Sequence, residues 1–130
     1  MRLERLTPAN EDYLEKVYEL ALISGGPVRS VDIAEELGVS KPSVNKGVST
    51  LKKAGYATQE RYGDVELTRA GWEYGARLHD QRQLLKRFLV EHLGVHPSTA
   101  EVEACGMSHE LSDDTLRRWE TYLEEGRVSS

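Results

Sequence analysis

The segment SVDIAEELGVSKPSVNKGVSTLKKAGYATQERYGDVEL, residues 30–67, is punctuated so closely that only short elements fit between its stops. Ser30 stands where a helix cap belongs, and Val31, Ile33, Ala34 and Leu37 make an inward face for two turns of helix. Gly38 supplies the left-handed stop. Ser40 caps a following helix, Lys41 to Lys53, and Pro42 is tolerated because it lies in the first turn. Val44, Val48 and Leu51 recur at i, i+4 and i+7 as the buried edge of that helix, and Gly55 ends it. Two short extended runs, Tyr56–Arg61 and Val65–Thr68, then flank Tyr62-Gly63-Asp64, the pattern of a hairpin with a glycine turn. Helix, turn, helix and hairpin in this order predict a helix-turn-helix with a small β wing.

Charge gives that unit a partner. From Gly38 to Tyr62 there are five basic residues (Lys41, Lys46, Lys52, Lys53, Arg61) against Glu60 alone, a net of +4 in a chain whose net charge is −5. A basic island in an acidic protein points to duplex DNA. The N-terminal half of the second helix of such a motif enters the major groove. Here that end offers Ser40, Lys41, Pro42, Ser43, Asn45 and Lys46, with Arg61 and Tyr62 at the wing tip. Ser and Asn read base edges or phosphates, and Lys neutralises phosphates. Gly47 costs about 1 kcal/mol inside a helix relative to Ala, so its place in this helix implies close approach of another backbone or of the DNA.

The remaining chain is helical. Thr7 caps a helix from Pro8 to about Ile23 with Tyr13, Val17, Leu20 and Ala21 on one apolar face, stopped by Gly25-Gly26-Pro27. Thr68 caps a long helix, about Arg69 to Leu93, carrying Trp72, Ala76, Leu84, Leu85, Phe88 and Leu89. Two further helices, about Ser98–His109 and Ser112–Glu125, close the chain, and the final GRVSS is expected to fray. From Ala100 onward eight acidic residues face three Arg, which excludes that region as the main DNA surface. No run is long enough to span a membrane, no signal-peptide pattern opens the chain, and Cys105 is the single cysteine, so a reducing cytoplasm is the expected compartment.

Spacing also groups metal-ligand chemistry. Asp12 and Glu15 are i, i+3 on the first helix, and Cys105, Ser108 and His109 are i, i+3, i+4 on a later one. Carboxylate, thiolate and imidazole suit a divalent transition ion. The same types serve ordinary roles: acidic residues favour helix N-termini, and a lone Cys packs as a small hydrophobe. Catalysis is excluded on pattern. Cys105 and His109 imitate a nucleophile and base, but no phosphate loop, HExxH or paired catalytic carboxylates accompany them.

The segments NEDYLEKVYEL, VDIAEELGVSKPSVNKGVSTLKKAGY, VELTRAGWEYG and QLLKRFLVEHLGV, in this order, resemble the diphtheria-toxin-repressor family, and the length is similar to its shorter, manganese-responsive branch. The resemblance implies a mainly α fold with a small β wing: a winged helix-turn-helix over residues 1–72 and a helical dimerisation and metal-sensing domain over 73–130. It implies a homodimeric repressor on a palindromic operator, its spacing fixed by Mn(II) or Fe(II) bound between the first helix and the dimerisation helices. The implied metal ligands are Asp12, Glu15, Cys105 and His109, with Cys105 at a position that is Cys in the iron-responsive branch and Glu in the manganese-responsive one. Ser108 and Arg82 depart from the pattern, standing where a ligand Glu and a ligand His are expected. A guanidinium cannot ligate and repels a second cation. Two readings stay open. In one, a single altered site shifts toward Fe(II), Co(II) or Zn(II), with His79, one turn before Arg82, as a conceivable displaced ligand. In the other, Arg82 pairs with Glu15 or Asp12, replaces the ion's charge, and the protein works without metal. Phe88, Leu89, Leu93, Val95, Val102, Met107, Leu111, Leu116 and Tyr122 are the apolar residues expected to build the dimerisation region.

Overall fold

The computed structural model describes residues 5–60 and 63–129, with side chains through residue 125. Among these the chain forms six helices and two strands: α1 (Pro8–Ser24), α2 (Ser30–Leu37), α3 (Lys41–Lys53), β1 (Ala57–Gln59), β2 (Val65–Leu67), α4 (Arg69–Glu91), α5 (Pro97–Glu110) and α6 (Asp113–Ser129). They divide into two compact units, one up to Arg77 and one from Leu78 onward, so α4 begins in the first and continues in the second.

In the first unit, the Thr7 hydroxyl accepts from the amide of Asn10, and Gly25 closes α1 at φ 77°. The buried face is Leu14, Val17 and Ala21, with Glu11 and Glu15 also buried. Leu20 is only partly covered, so Leu14 takes the place expected for it. Ser30 is the first residue of α2 and not its cap: Arg29 holds the cap position, and its guanidinium grips Asp32 at 3.0 and 3.2 Å. Ile33 alone of α2 is fully buried, and Val31, expected inward, is 46% exposed. In so short a helix one residue of register turns a side chain by about 100°. Ser40 caps α3 by accepting from the Ser43 amide at 3.3 Å. Val44, Val48 and Leu51 are buried, and their removal from water contributes about 1.5–3 kcal/mol each.

The wing is an antiparallel pair with Ala57 opposite Leu67, Thr58 opposite Glu66 and Gln59 opposite Val65. Val28, just past Pro27, extends it by exchanging both backbone hydrogen bonds with Val65 at 2.8 Å. Thr68 joins the end of α3 to the start of α4. Its hydroxyl donates to the Gly55 carbonyl at 2.7 Å and accepts from the Gly71 amide at 3.1 Å. The first turn of α4 passes so close to the Tyr56 carbonyl that a Cβ on Gly71 would lie 2.0 Å from that oxygen.

In the second unit, Leu85, Leu89, Ala100, Ala104 and Leu116 form the core, edged by Val90, Val95, Met107, Leu111 and Trp119. Ala100 and Ala104 are the small, fully buried residues that α5 gives to this core. His96 caps α5 through Nδ1, which accepts from the Ser98 amide at 3.2 Å. The Ser112 hydroxyl accepts from the Thr115 amide at the start of α6, and the helix runs on to Ser129 where fraying was expected. Phe88 stacks on His92 and meets the Trp119 ring edge-on. Among the residues expected to build a dimer, Leu89 and Leu116 belong to this core, whereas Leu93, Val102 and Tyr122 are 61%, 73% and 64% exposed.

The backbone oxygen facing Gly71 has nowhere to retreat without breaking the Thr68–Tyr56 hydrogen bond. Gly71→Ala is therefore expected to destabilise the protein by about 2 kcal/mol or more, at the upper part of the usual overpacking range. Urea denaturation followed by circular dichroism measures it, and a loss below about 0.5 kcal/mol would show that the approach is not tight.

Candidate DNA interface and metal ligands

The amphipathic character of α3 sorts its residues onto two sides. Val44, Gly47, Val48 and Leu51 are buried, whereas Ser40, Lys41, Pro42, Ser43, Asn45 and Lys46 are exposed together at its N-terminal end. Ser49, Lys52 and Lys53 continue the exposed side toward the C-terminus. Ser40 and Ser43 hold one another, hydroxyl to hydroxyl at 3.1 Å, as part of the cap. Their role in the motif is thus partly structural, and Lys41, Asn45 and Lys46 are the longer side chains standing out from this end. Arg61 and Tyr62, expected at the wing tip, lie outside the described residues. Next to them the Gly63 amide donates to the Glu60 carbonyl at 2.7 Å, and the Gln59 amide group donates to the Gly63 carbonyl at 3.1 Å.

Gly47 has a different reason from those expected. The nearest atoms to it are those of the Tyr13 ring. A Cβ at Gly47 would lie 2.9 Å from Cγ and Cδ2 of Tyr13 and 3.0 Å from Cδ1. Gly75 plays the same part in α4, where a Cβ would meet Cβ of Tyr18 at 2.8 Å. Tyr18 also meets the edge of Trp72, with ring centroids 5.6 Å apart.

A buried polar link beside these contacts was not legible beforehand. Glu11 is 2% exposed, and the Tyr74 hydroxyl donates to its Oε2 at 2.6 Å. The same hydroxyl accepts from the Leu6 amide at 3.0 Å, and Arg5 Nε lies 3.8 Å from Glu11 Oε2. Burial, and then the hydrogen bond to Glu11, push the Tyr74 phenol well above its ordinary range, so it remains a donor at any physiological pH. A tyrosine in the second turn of α4 gives no sign that a first-turn glutamate of α1 will be buried against it.

The candidate metal ligands divide between the units. Asp12 and Glu15 lie one turn apart on α1, Asp12 partly exposed and Glu15 buried. Cys105 and His109 lie one turn apart on α5, both partly exposed, with Sγ 4.0 Å from Nε2. Two ligands of one tetrahedral ion, at typical thiolate and imidazole bond lengths, sit about 3.5 Å apart. The α5 pair is thus within a small side-chain adjustment of that spacing. Ser108, where a ligand Glu was expected, is buried and turned back on its own helix, its hydroxyl donating to the Cys105 carbonyl at 2.8 Å. Arg82 Nη1 lies 3.6 Å from Glu101 Oε1, and Lys86 Nζ lies 2.8 Å from Glu101 Oε2.

Two family models match the chain: the iron dependent repressor N-terminal DNA binding domain over residues 5–65, and the iron dependent repressor metal binding and dimerisation domain over 68–129. The chain belongs to the iron-dependent repressor family, and is a DNA-binding transcriptional regulator and not an enzyme. Its relatives include the regulator MntR of Listeria monocytogenes, 40% identical over 112 residues, which span 86% of this chain and 78% of that one. An HTH-type transcriptional regulator of Methanocaldococcus jannaschii is 34% identical over 115 residues, 88% of this chain and 92% of that one. The solved manganese regulator SloR superposes with a TM-score of 0.79 at 28% identity, covering 92% of this chain but only 55% of the SloR chain. This chain therefore spans about half the length of that solved regulator. The match to the second domain associates the chain with a divalent metal and with pairing of two copies.

Tyr74→Phe removes the short donor from a buried carboxyl. A hydrogen bond of this kind contributes about 1.5–3 kcal/mol, so an unfolding free energy lower by that amount is expected. A double-mutant cycle with Glu11→Gln isolates the pair, and additivity of the two single changes would sink the assignment.

Proposed function

We propose that this chain is a homodimeric repressor that reads a two-fold symmetric operator and takes one divalent transition ion per subunit as its signal. The observation that carries the DNA half is the exposed N-terminal end of α3, where Lys41, Asn45 and Lys46 project from the side opposite Val44, Val48 and Leu51. A helix presented in this way fits the major groove, with Asn45 suited to an adenine edge and the lysines to phosphates. Arg61 extends the basic stretch into the wing. Exposed Leu93, Val102 and Tyr122 are apolar surface of the kind a second copy covers. Two-fold symmetry then sets two recognition helices about one DNA turn apart.

The ligand set proposed is Asp12, Cys105 and His109, with Glu15 as a further carboxylate donor. Support comes from the 4.0 Å Cys105–His109 pair and from the donor types. A bound dication would balance the negative charge of the carboxylate and thiolate donors. A thiolate is softer than the Glu of the manganese-responsive pattern, which moves preference from Mn(II) toward Fe(II), Co(II) or Zn(II). Ser108 directs its hydroxyl to a backbone carbonyl and offers no carboxylate for a second ion. This favours one ion over two.

Binding to DNA from the protein's own upstream region, measured with each metal and with chelator, tests the whole reading. Affinity is expected to rise with metal and to fall steeply with salt. Lys46→Ala is expected to lower the salt slope by about 1; an unchanged slope and affinity would remove α3 from the interface. Calorimetric titration with Co(II) is expected to give one ion per subunit. Cys105→Ala and His109→Ala should each weaken that binding at least roughly tenfold, since loss of a ligand bond exceeds the about 1.4 kcal/mol this factor represents. Two ions per subunit, or indifference to both substitutions, would refute the ligand set.

A further inference from the structure

We propose that Tyr13 and Gly47 form a joint through which α1 sets the position of the recognition helix α3, so that a metal signal received on α1 is passed toward DNA at this contact. Both are positioning residues, and the inference rests on the metal reading above.

The geometry is that of a helix held on two sides. Successive residues of a helix turn by about 100°, so Tyr13 and Glu15 point to roughly opposite sides of α1. On the side of Glu15 lie Glu11 and Tyr18, and these meet the first turns of α4: Glu11 at the Tyr74 hydroxyl, Tyr18 at Gly75 and Trp72. On the other side the Tyr13 ring lies on Gly47 of α3. The candidate ligand Asp12 immediately precedes Tyr13. Any displacement of α1 that draws Asp12 or Glu15 toward an ion is thus delivered to α3 at the position next to Lys46.

The contact is close enough to transmit such a displacement. The three Tyr13 atoms nearest a Gly47 Cβ, at 2.9–3.0 Å, are Cγ and the two Cδ atoms, the near end of the ring and not its flexible tip. Packed contacts of this sort switch between discrete arrangements and do not deform smoothly. Gly47 is costly in a helix and sits on the buried side of α3, out of reach of the groove-facing residues. Close seating of the ring accounts for that cost.

The test compares wild type, Tyr13→Phe, Tyr13→Leu and Gly47→Ala. Three quantities are read for each: Co(II) affinity without DNA, the ratio of DNA affinities with Co(II) and with chelator, and amide exchange of α3 with and without Co(II). Wild type and Tyr13→Phe, which keeps the ring, are expected to show the same ratio and a slowing of α3 exchange on Co(II) addition. Tyr13→Leu and Gly47→Ala are expected to bind Co(II) within about threefold of wild type while losing at least tenfold of the ratio and the slowing. Tyr13→Leu adds no atoms, so it carries the result if Gly47→Ala does not fold. A full wild-type ratio and slowing in Tyr13→Leu, with Co(II) affinity intact, would overturn the joint alone. Absence of saturable Co(II) binding to wild type would overturn the metal reading, and the joint with it.

Discussion

The ring of Tyr13 on Gly47 is the tight fit between the first helix and the recognition helix. A helix-turn-helix needs its reading helix at a defined depth and tilt, and α1, α2 and β1 all pack on α3 to provide it. The first helix contributes by close approach. It closes on α3 at a position with no side chain, where axis separation is set by a flat ring against a bare backbone. The same device recurs at Tyr18 on Gly75. Two tyrosines of one helix thus seat on glycines of two different helices, and between them they leave α1 little freedom to move alone.

Buried polar chemistry reinforces this seating. Glu11 in the first turn of α1 is tied to Tyr74, and Tyr74 in turn holds the Leu6 amide just ahead of that helix. An apolar pair would fill the same space, but would not fix the rotation of α1 about its own axis. A single short hydrogen bond does, because its strength falls steeply with angle and distance. Rotation is what matters for α1, since Asp12, Tyr13 and Glu15 point in three different directions.

Much of the DNA-binding unit was legible in the residues. The caps at Thr7 and Ser40, the stop at Gly38, the span of α3 and its Val44, Val48 and Leu51 edge, and the hairpin all follow from local rules that tertiary structure did not override. Where the reading failed, a long-range contact decided. Val31 looks outward because α2 is too short for its neighbours to impose the expected face. Val28 joins the wing through a backbone bridge that no pattern around Pro27 announces. Gly47 signalled close approach, but the approaching group came from a helix far away in sequence. Glu11 gave no signal at all, because an acidic residue in a first helical turn is ordinary.

For the metal half, residue identities alone carry the reading, and at two positions they depart from the pattern the resemblance implies. Ser108 in place of a Glu removes one negative charge, and Arg82 in place of a neutral His adds a positive one. Arg82 is held by Glu101, which also holds Lys86. The lost Glu is also not replaced by another donor on its turn, since the Ser108 hydroxyl is committed to the Cys105 carbonyl. What is retained is the pair with the strongest claim on a borderline-soft ion, thiolate and imidazole on adjacent turns of one rigid helix. A site reduced in this way asks less charge neutralisation of the protein and selects more by ligand softness. The proposed change of ion and of stoichiometry rests on the departures at Ser108 and Arg82, and it leaves the DNA-reading unit as the local rules built it.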